Sequence, residues 1–103
     1  MFYCKLIRDK IPQIIEESGK RAILYTLSDE DCEEFLERKL DEEIQEYHES
    51  GEAEELADIL EVVIALAKYK GMSFEDLMAL RADKAEKKGS FSEKIFLIAV
   101  SED

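Results

Sequence analysis

Two pairs of acids, Glu43 with Glu46 and Glu55 with Asp58, stand on either side of the segment ESGEAE, each pair three residues apart. On a helix that spacing makes the two members of a pair neighbours on one surface. Carboxylates gathered in this way repel one another and lose hydration. A hard divalent cation removes both penalties, and oxygen-only ligands suit Mg²⁺ or Mn²⁺. A cation so held would also let a very acidic chain bind a phosphorylated small molecule. Solvated helix surfaces carry similar acidic strings. What separates the two readings is the face each acid occupies.

At about 100° per residue, Leu36, Leu40, Ile44 and Tyr47 form an apolar stripe that contains Glu43; Glu46 lies at its edge and Glu42 further round toward solvent. The following segment is apolar around most of its circumference, through Leu56, Ile59, Leu60, Val62, Val63, Ile64, Leu66 and Ala67. Such a helix is usually enclosed on several sides. Glu55 shares a row with Ile59, Val62 and Leu66, and Asp58 lies beside Val62, Ala65 and Tyr69, while Glu54, Glu61 and Lys68 mark the polar side. A short turn makes consecutive helices antiparallel neighbours, so the two pairs can face each other. Spacing alone leaves the metal site and the solvated acidic surface both open.

The elements that must position these acids are readable from their boundaries. RDKIPQIIEESGK predicts a short first helix, with Pro12 near its start and Gly19 as its stop. Ser28 opens SDED, an N-cap followed by a first turn filled with acids, and the second helix runs from about Asp29 to about Glu49. The third runs from about Ala53 to about Lys70, closed by Gly71; Ser73 caps a fourth through SFED, ending near Lys88 before Gly89. RAILYTL (21–27) and KIFLIAV (94–100) are rich in strand formers and read as a two-stranded pair. The expected architecture is a single all-α domain, residues 1–103, with antiparallel central helices and a small two-stranded β appendage.

The chain has 103 residues, 46% apolar and 39% charged, which suits one modest globular core. A formal net charge of −12 argues against nucleic acid or an anionic membrane as partner. The run Ile59–Ala67 is short and carries Glu61, so no membrane span is expected. Charges interrupt MFYCKLIRDK where a signal peptide needs an unbroken apolar core, and Cys4 and Cys32 match neither a metal spacing nor a disulfide framework. These features predict a cytoplasmic protein with reduced, structural thiols. No P-loop or dinucleotide fingerprint is present.

KLDEEIQEY followed by EELADILEVV resembles the EExxE…ExxD signature of the MazG-like all-α nucleotide pyrophosphatases. KLIRDKIPQIIEESGK and KAEKKGSF resemble the opening and C-terminal elements of a small single-domain subgroup, often labelled phosphoribosyl-ATP pyrophosphohydrolase-like. The resemblance covers nearly the whole chain. It implies a four-helix MazG-like fold, a homodimer or homotetramer, and Mg²⁺-dependent hydrolysis of a nucleoside triphosphate to the monophosphate and pyrophosphate. Its metal ligands fall on Glu43, Glu46, Glu55 and Asp58. Histidine-pathway phosphoribosyl-ATP pyrophosphohydrolases resemble DLLYH after the aspartate, whereas DILEV here places Val62 at that histidine's position and leaves that activity as the alternative.

Such hydrolysis needs in-line attack of water on phosphorus. Glu42, beside the ligands, is the candidate to orient the water or take its proton; an ordinary surface acid is the competing reading. Lys39, Arg8, Lys5, Lys84 and Lys88 are candidate phosphate contacts, with Arg8 and Lys88 also matching the resembling motifs. His48 has no partner in sequence reach and reads as a surface residue. A non-catalytic helical interaction module, built on the apolar third helix, is the reading from a different class.

Overall fold

In the computed structural model, residues 4–102 are described. Four helices follow in order: α1 (Ile11–Glu17), α2 (Asp29–Ser50), α3 (Ala53–Tyr69) and α4 (Phe74–Lys88). Among the described residues all of the regular structure is α-helical. Each start has a local cause. Pro12 occupies the first turn of α1, where its missing N–H removes no helical bond. The Ser28 side chain accepts the backbone N–H of Asp31, and three acids fill the first turn of α2. Ser73 and Asp76 close a reciprocal capping box at the start of α4.

Gly51 ends α2 at φ 67°, a left-handed conformation that a Cβ disfavours, and donates its N–H to the Tyr47 carbonyl. That turn sends α3 back along α2. Leu36 lies fifteen residues before Gly51 and Leu66 fifteen after it, and with Val62 they form the buried cluster of the antiparallel pair. Cys32, Leu40 and Ala65 pack around it, as does Leu6 from the segment preceding α1. Among the described helices, α4 packs on α3.

Very little is enclosed. Leu36, Val62, Leu66 and Ala67 are the buried apolar residues among those described. The α3 helix is not surrounded as its composition suggests, since Leu56 and Leu60 stand open on its outer face. The Cα radius of gyration is 18.6 Å, against about 13 Å for a compact chain of this length.

The β appendage is a correction. Among the described residues neither 21–27 nor 94–100 forms a strand, and both run as irregular chain, exposed except at the half-buried Ala22 and Leu27. Ile23 is 93% exposed and Phe96 86%. Two strands bury too little by themselves to hold their pairing in water, and no helix covers either segment. Cys4 is likewise exposed rather than structural, whereas Cys32 packs against the core; both are free thiols. Among the described residues no helix is long and apolar enough to cross a membrane.

Candidate metal centre

The antiparallel register that pairs Leu36 with Leu66 also aligns the acids. Glu43 and Glu46 lie on the penultimate turn of α2, and Glu55 and Asp58 on the first two turns of α3. One carboxylate oxygen from each of Glu43, Glu55 and Asp58 lies within 4.8 Å of the other two. Glu43 is 7% exposed, the buried charged residue of the described chain. Oε2 of Glu43 and Oε2 of Glu55 are both sealed from solvent with no hydrogen-bond partner among the described residues. Buried polar atoms are normally satisfied, and a charged one left without a partner is costly. Two such oxygens, on two residues of one cluster of hard ligands, fit a divalent cation.

The electrostatics agree with that reading. Burial, more than any other influence, pushes the Glu43 carboxyl above its ordinary value of 4.5; the neighbouring Glu46 carboxylate adds to this, and Lys39 opposes it. Glu55 is raised as well, first by desolvation and then by the charges of Glu46 and Asp58. Glu46 thus belongs to the same electrostatic cluster although its oxygens lie outside the tight triad.

A raised folded-state value means that the native chain binds protons more readily than the unfolded chain. The ionised cluster therefore destabilises the fold, and stability rises as pH falls from neutral toward the ordinary carboxyl value of 4.5. Below that value both states are protonated and the contribution is complete. Thermal melts between pH 7 and 5 with divalent ions removed should show this rise. The Glu43→Gln variant should show a shallower one, and parallel slopes would contradict the assignment.

Two cations flank the triad. Arg8 Nη2 lies 2.6 Å from Asp58 Oδ1. Lys39 Nζ lies 3.5 Å from Glu43 Oε1 and 3.4 Å from Glu42 Oε1. Between them opens a cleft of about 770 Å³ that runs from Glu43 and Asp58 over Leu36 and Val62 to Tyr69. Residues 6–10 form its near wall. The Tyr69 hydroxyl is pushed up to about 12, chiefly by hydrogen bonding with Cys32 and then by burial and nearby acids, so it stays protonated. A cleft with an apolar floor, acids at one end and cations along its rim can hold a phosphorylated organic molecule.

The other expected site residues are distributed unevenly. Glu42 is exposed, paired with Lys39, and lines a smaller cavity rather than the cleft. Lys5 borders a smaller cavity beside Lys39 and Glu42. Lys84 and Lys88 stand exposed on α4, outside the residues that line the cleft. His48 is exposed and touches only the ring of its neighbour Tyr47 among aromatic contacts described. Tyr69 and Ile7 line the cleft, although in the sequence they read as a helix end and part of an opening segment. Periodicity carries no signal for Ile7, because it comes from an irregular segment folded across two helices.

No protein-family model matches the chain, and no solved structure matches it. A protein of Mycolicibacterium smegmatis, described as uncharacterized, is 45% identical over 42 residues. The match takes in 41% of this chain and 43% of that protein's length, so the chain spans less than half of this relative.

Proposed function

We propose that the protein hydrolyses a nucleoside triphosphate to the monophosphate and pyrophosphate, in the manner of the MazG-like pyrophosphatases that its acidic signature resembles. The observation that carries this reading is the pair of buried, unpartnered oxygens of Glu43 and Glu55, grouped with Asp58 at the end of a cation-rimmed cleft. Glu43, Glu55 and Asp58 would hold Mg²⁺ or Mn²⁺, with Glu46 alongside. When bound, the cation neutralises phosphate charge and polarises water. Lys39 and Arg8 stand where they can contact phosphates left outside the metal's ligand shell. Glu42, paired with Lys39 beside Glu43 but outside the cleft lining, offers an exposed carboxylate oxygen as the candidate to accept a proton from the attacking water. The apolar floor of the cleft suits the nucleoside half of the substrate. Lys5, Lys84 and Lys88 carry less of the proposal, because they do not line this cleft.

The phosphoribosyl-ATP reading is the weaker alternative. Val62 is 8% exposed and packed with Leu36 and Leu66, so the position where the histidine-pathway motif carries histidine serves the core here. Free thiols at Cys4 and Cys32 suit a reducing compartment such as the cytoplasm. The test is a panel of canonical and damaged nucleoside triphosphates, with pyrophosphate release measured with and without Mg²⁺. Release from no member of the panel, together with no heat on titrating Mg²⁺, would favour a non-catalytic interaction module.

The same reading includes a homodimer or homotetramer. Leu56 and Leu60 on α3, with Phe91, Ile95, Phe96 and Ile98 in the final segment, leave more apolar surface open than a monomer normally shows. Sedimentation at micromolar concentration should give a dimer or larger species, and Leu60→Glu should shift it toward monomer. A wild-type chain that sediments as a monomer would remove this part of the proposal.

A further inference from the structure

Asp58 is at once a member of the carboxylate triad and the partner of Arg8, fifty residues away in sequence. The two roles conflict. An aspartate whose Oδ1 is held by a guanidinium at 2.6 Å offers a divalent cation a carboxylate that is already partly neutralised. The guanidinium and the cation also repel each other. Arg8 sits in the irregular segment before α1, not on a helix, so its side chain can leave Asp58 without unwinding any element. The segment lines the cleft, and Arg8 is itself one of the lining residues.

We propose that Arg8 is an exchangeable counter-cation: a divalent ion entering the triad displaces it from Asp58, and the released guanidinium binds a phosphate of the ligand in the cleft. This inference rests on the metal-site reading above and adds a residue-level order to it. Metal binding creates the phosphate site, because Asp58 is the carboxylate that Arg8 pairs with among the described residues, and its loss leaves the guanidinium free to turn to an anion in the cleft. The planar fork of arginine suits a phosphate as well as it suits a carboxylate. Lys39 differs because it borders Glu43 at 3.5 Å from the same helix, one turn away, and moves with the ligand it touches.

The exchange makes opposite demands on the two ligands, and that is how it is tested. Mn²⁺ alone is titrated into wild type, Arg8→Gln, Arg8→Lys and Lys10→Gln after chelator treatment; inorganic pyrophosphate is then titrated in saturating Mn²⁺. Arg8→Gln should bind Mn²⁺ about three- to tenfold more tightly than wild type, because a competitor for Asp58 is gone. It should bind pyrophosphate at least about tenfold more weakly, because a charge-assisted contact is gone. Arg8→Lys keeps the charge without the fork, and should stay near wild type for Mn²⁺ while losing pyrophosphate affinity. Lys10→Gln removes the same charge from the same segment and should leave Mn²⁺ affinity within about twofold. Circular dichroism checks that each variant is folded. Unchanged or weaker Mn²⁺ binding by Arg8→Gln overturns the exchange while leaving the metal site standing. Tighter Mn²⁺ binding with unchanged pyrophosphate binding reduces Arg8 to a counter-ion and also overturns it. A wild-type protein that binds no Mn²⁺ overturns both the exchange and the metal site.

Discussion

The Glu43→Gln variant is expected to release pyrophosphate from a nucleoside triphosphate at least about 10²-fold more slowly than wild type at a fixed Mg²⁺ concentration. A bound cation contributes several kcal/mol of transition-state stabilisation, and each 1.36 kcal/mol is about tenfold in rate. Glu46→Gln and Asp58→Asn should lose activity for the same reason. The second half of the expectation is less usual: without divalent ions, Glu43→Gln should melt at the same temperature as wild type or higher. Glu43 is buried with one oxygen unpartnered, and burial with like charges around it holds its carboxyl above the ordinary range. Removing that charge relieves desolvation and repulsion together. A residue kept at the cost of stability, whose loss abolishes activity, is the pattern of a functional group. Glu54→Gln is the control, since Glu54 is exposed on the far side of α3, one residue from Glu55. Equal activity in Glu43→Gln, Asp58→Asn and Glu54→Gln would end the metal-site reading.

The carboxylate cluster was legible because it is written in local periodicity. Glu43 within the Leu36–Leu40–Tyr47 stripe, and Glu55 in the row of Val62 and Leu66, are statements about a helical wheel. Both survive in the structure, as the buried state of Glu43 and the short distances of the triad show. The turn at Gly51 was legible for the same reason, and it sets the register that brings Glu43 opposite Asp58. Helix starts followed from Ser28 and Ser73, whose caps are decided by three or four adjacent residues.

What was not legible depends on contacts between distant segments. Nothing in LIRDK reveals that Arg8 meets Asp58, because the segment has no periodicity and its path over α2 and α3 is a tertiary matter. The strands at 21–27 and 94–100 failed differently. Their composition is that of strands, but strand formation needs a partner and a covering layer, and neither is supplied within the described residues. Val62 is the instructive middle case. Its place in the resembling motif directs attention to chemistry, while its burial against Leu36 and Leu66 assigns it to packing.

Leu66→Ala should, with Leu36→Ala, have the largest effect on stability of the single truncations in the core. Leu66 is 9% exposed and completes the cluster with Leu36 and Val62 that joins α2 to α3. Removing a buried leucine side chain costs about 2–5 kcal/mol, a large share of the about 5–15 kcal/mol that holds a typical domain together. The share is larger where so few apolar residues are enclosed. Leu80→Ala on α4, at a position 46% exposed, should change stability by no more than about 0.5 kcal/mol. Urea titrations at one fixed protein concentration measure both, since an oligomer's apparent stability depends on protomer concentration. The consequence for the site is sharper. The α2–α3 packing is what holds the acids of one helix against those of the other, so Leu66→Ala should also weaken Mg²⁺ binding to the fraction that remains folded. If Mg²⁺ binding per folded molecule stays at the wild-type value while stability falls, the short turn at Gly51 alone suffices to place the acids. If both fall together, the apolar register of α2 on α3 builds the metal centre. That outcome would make the small core of this chain part of its site.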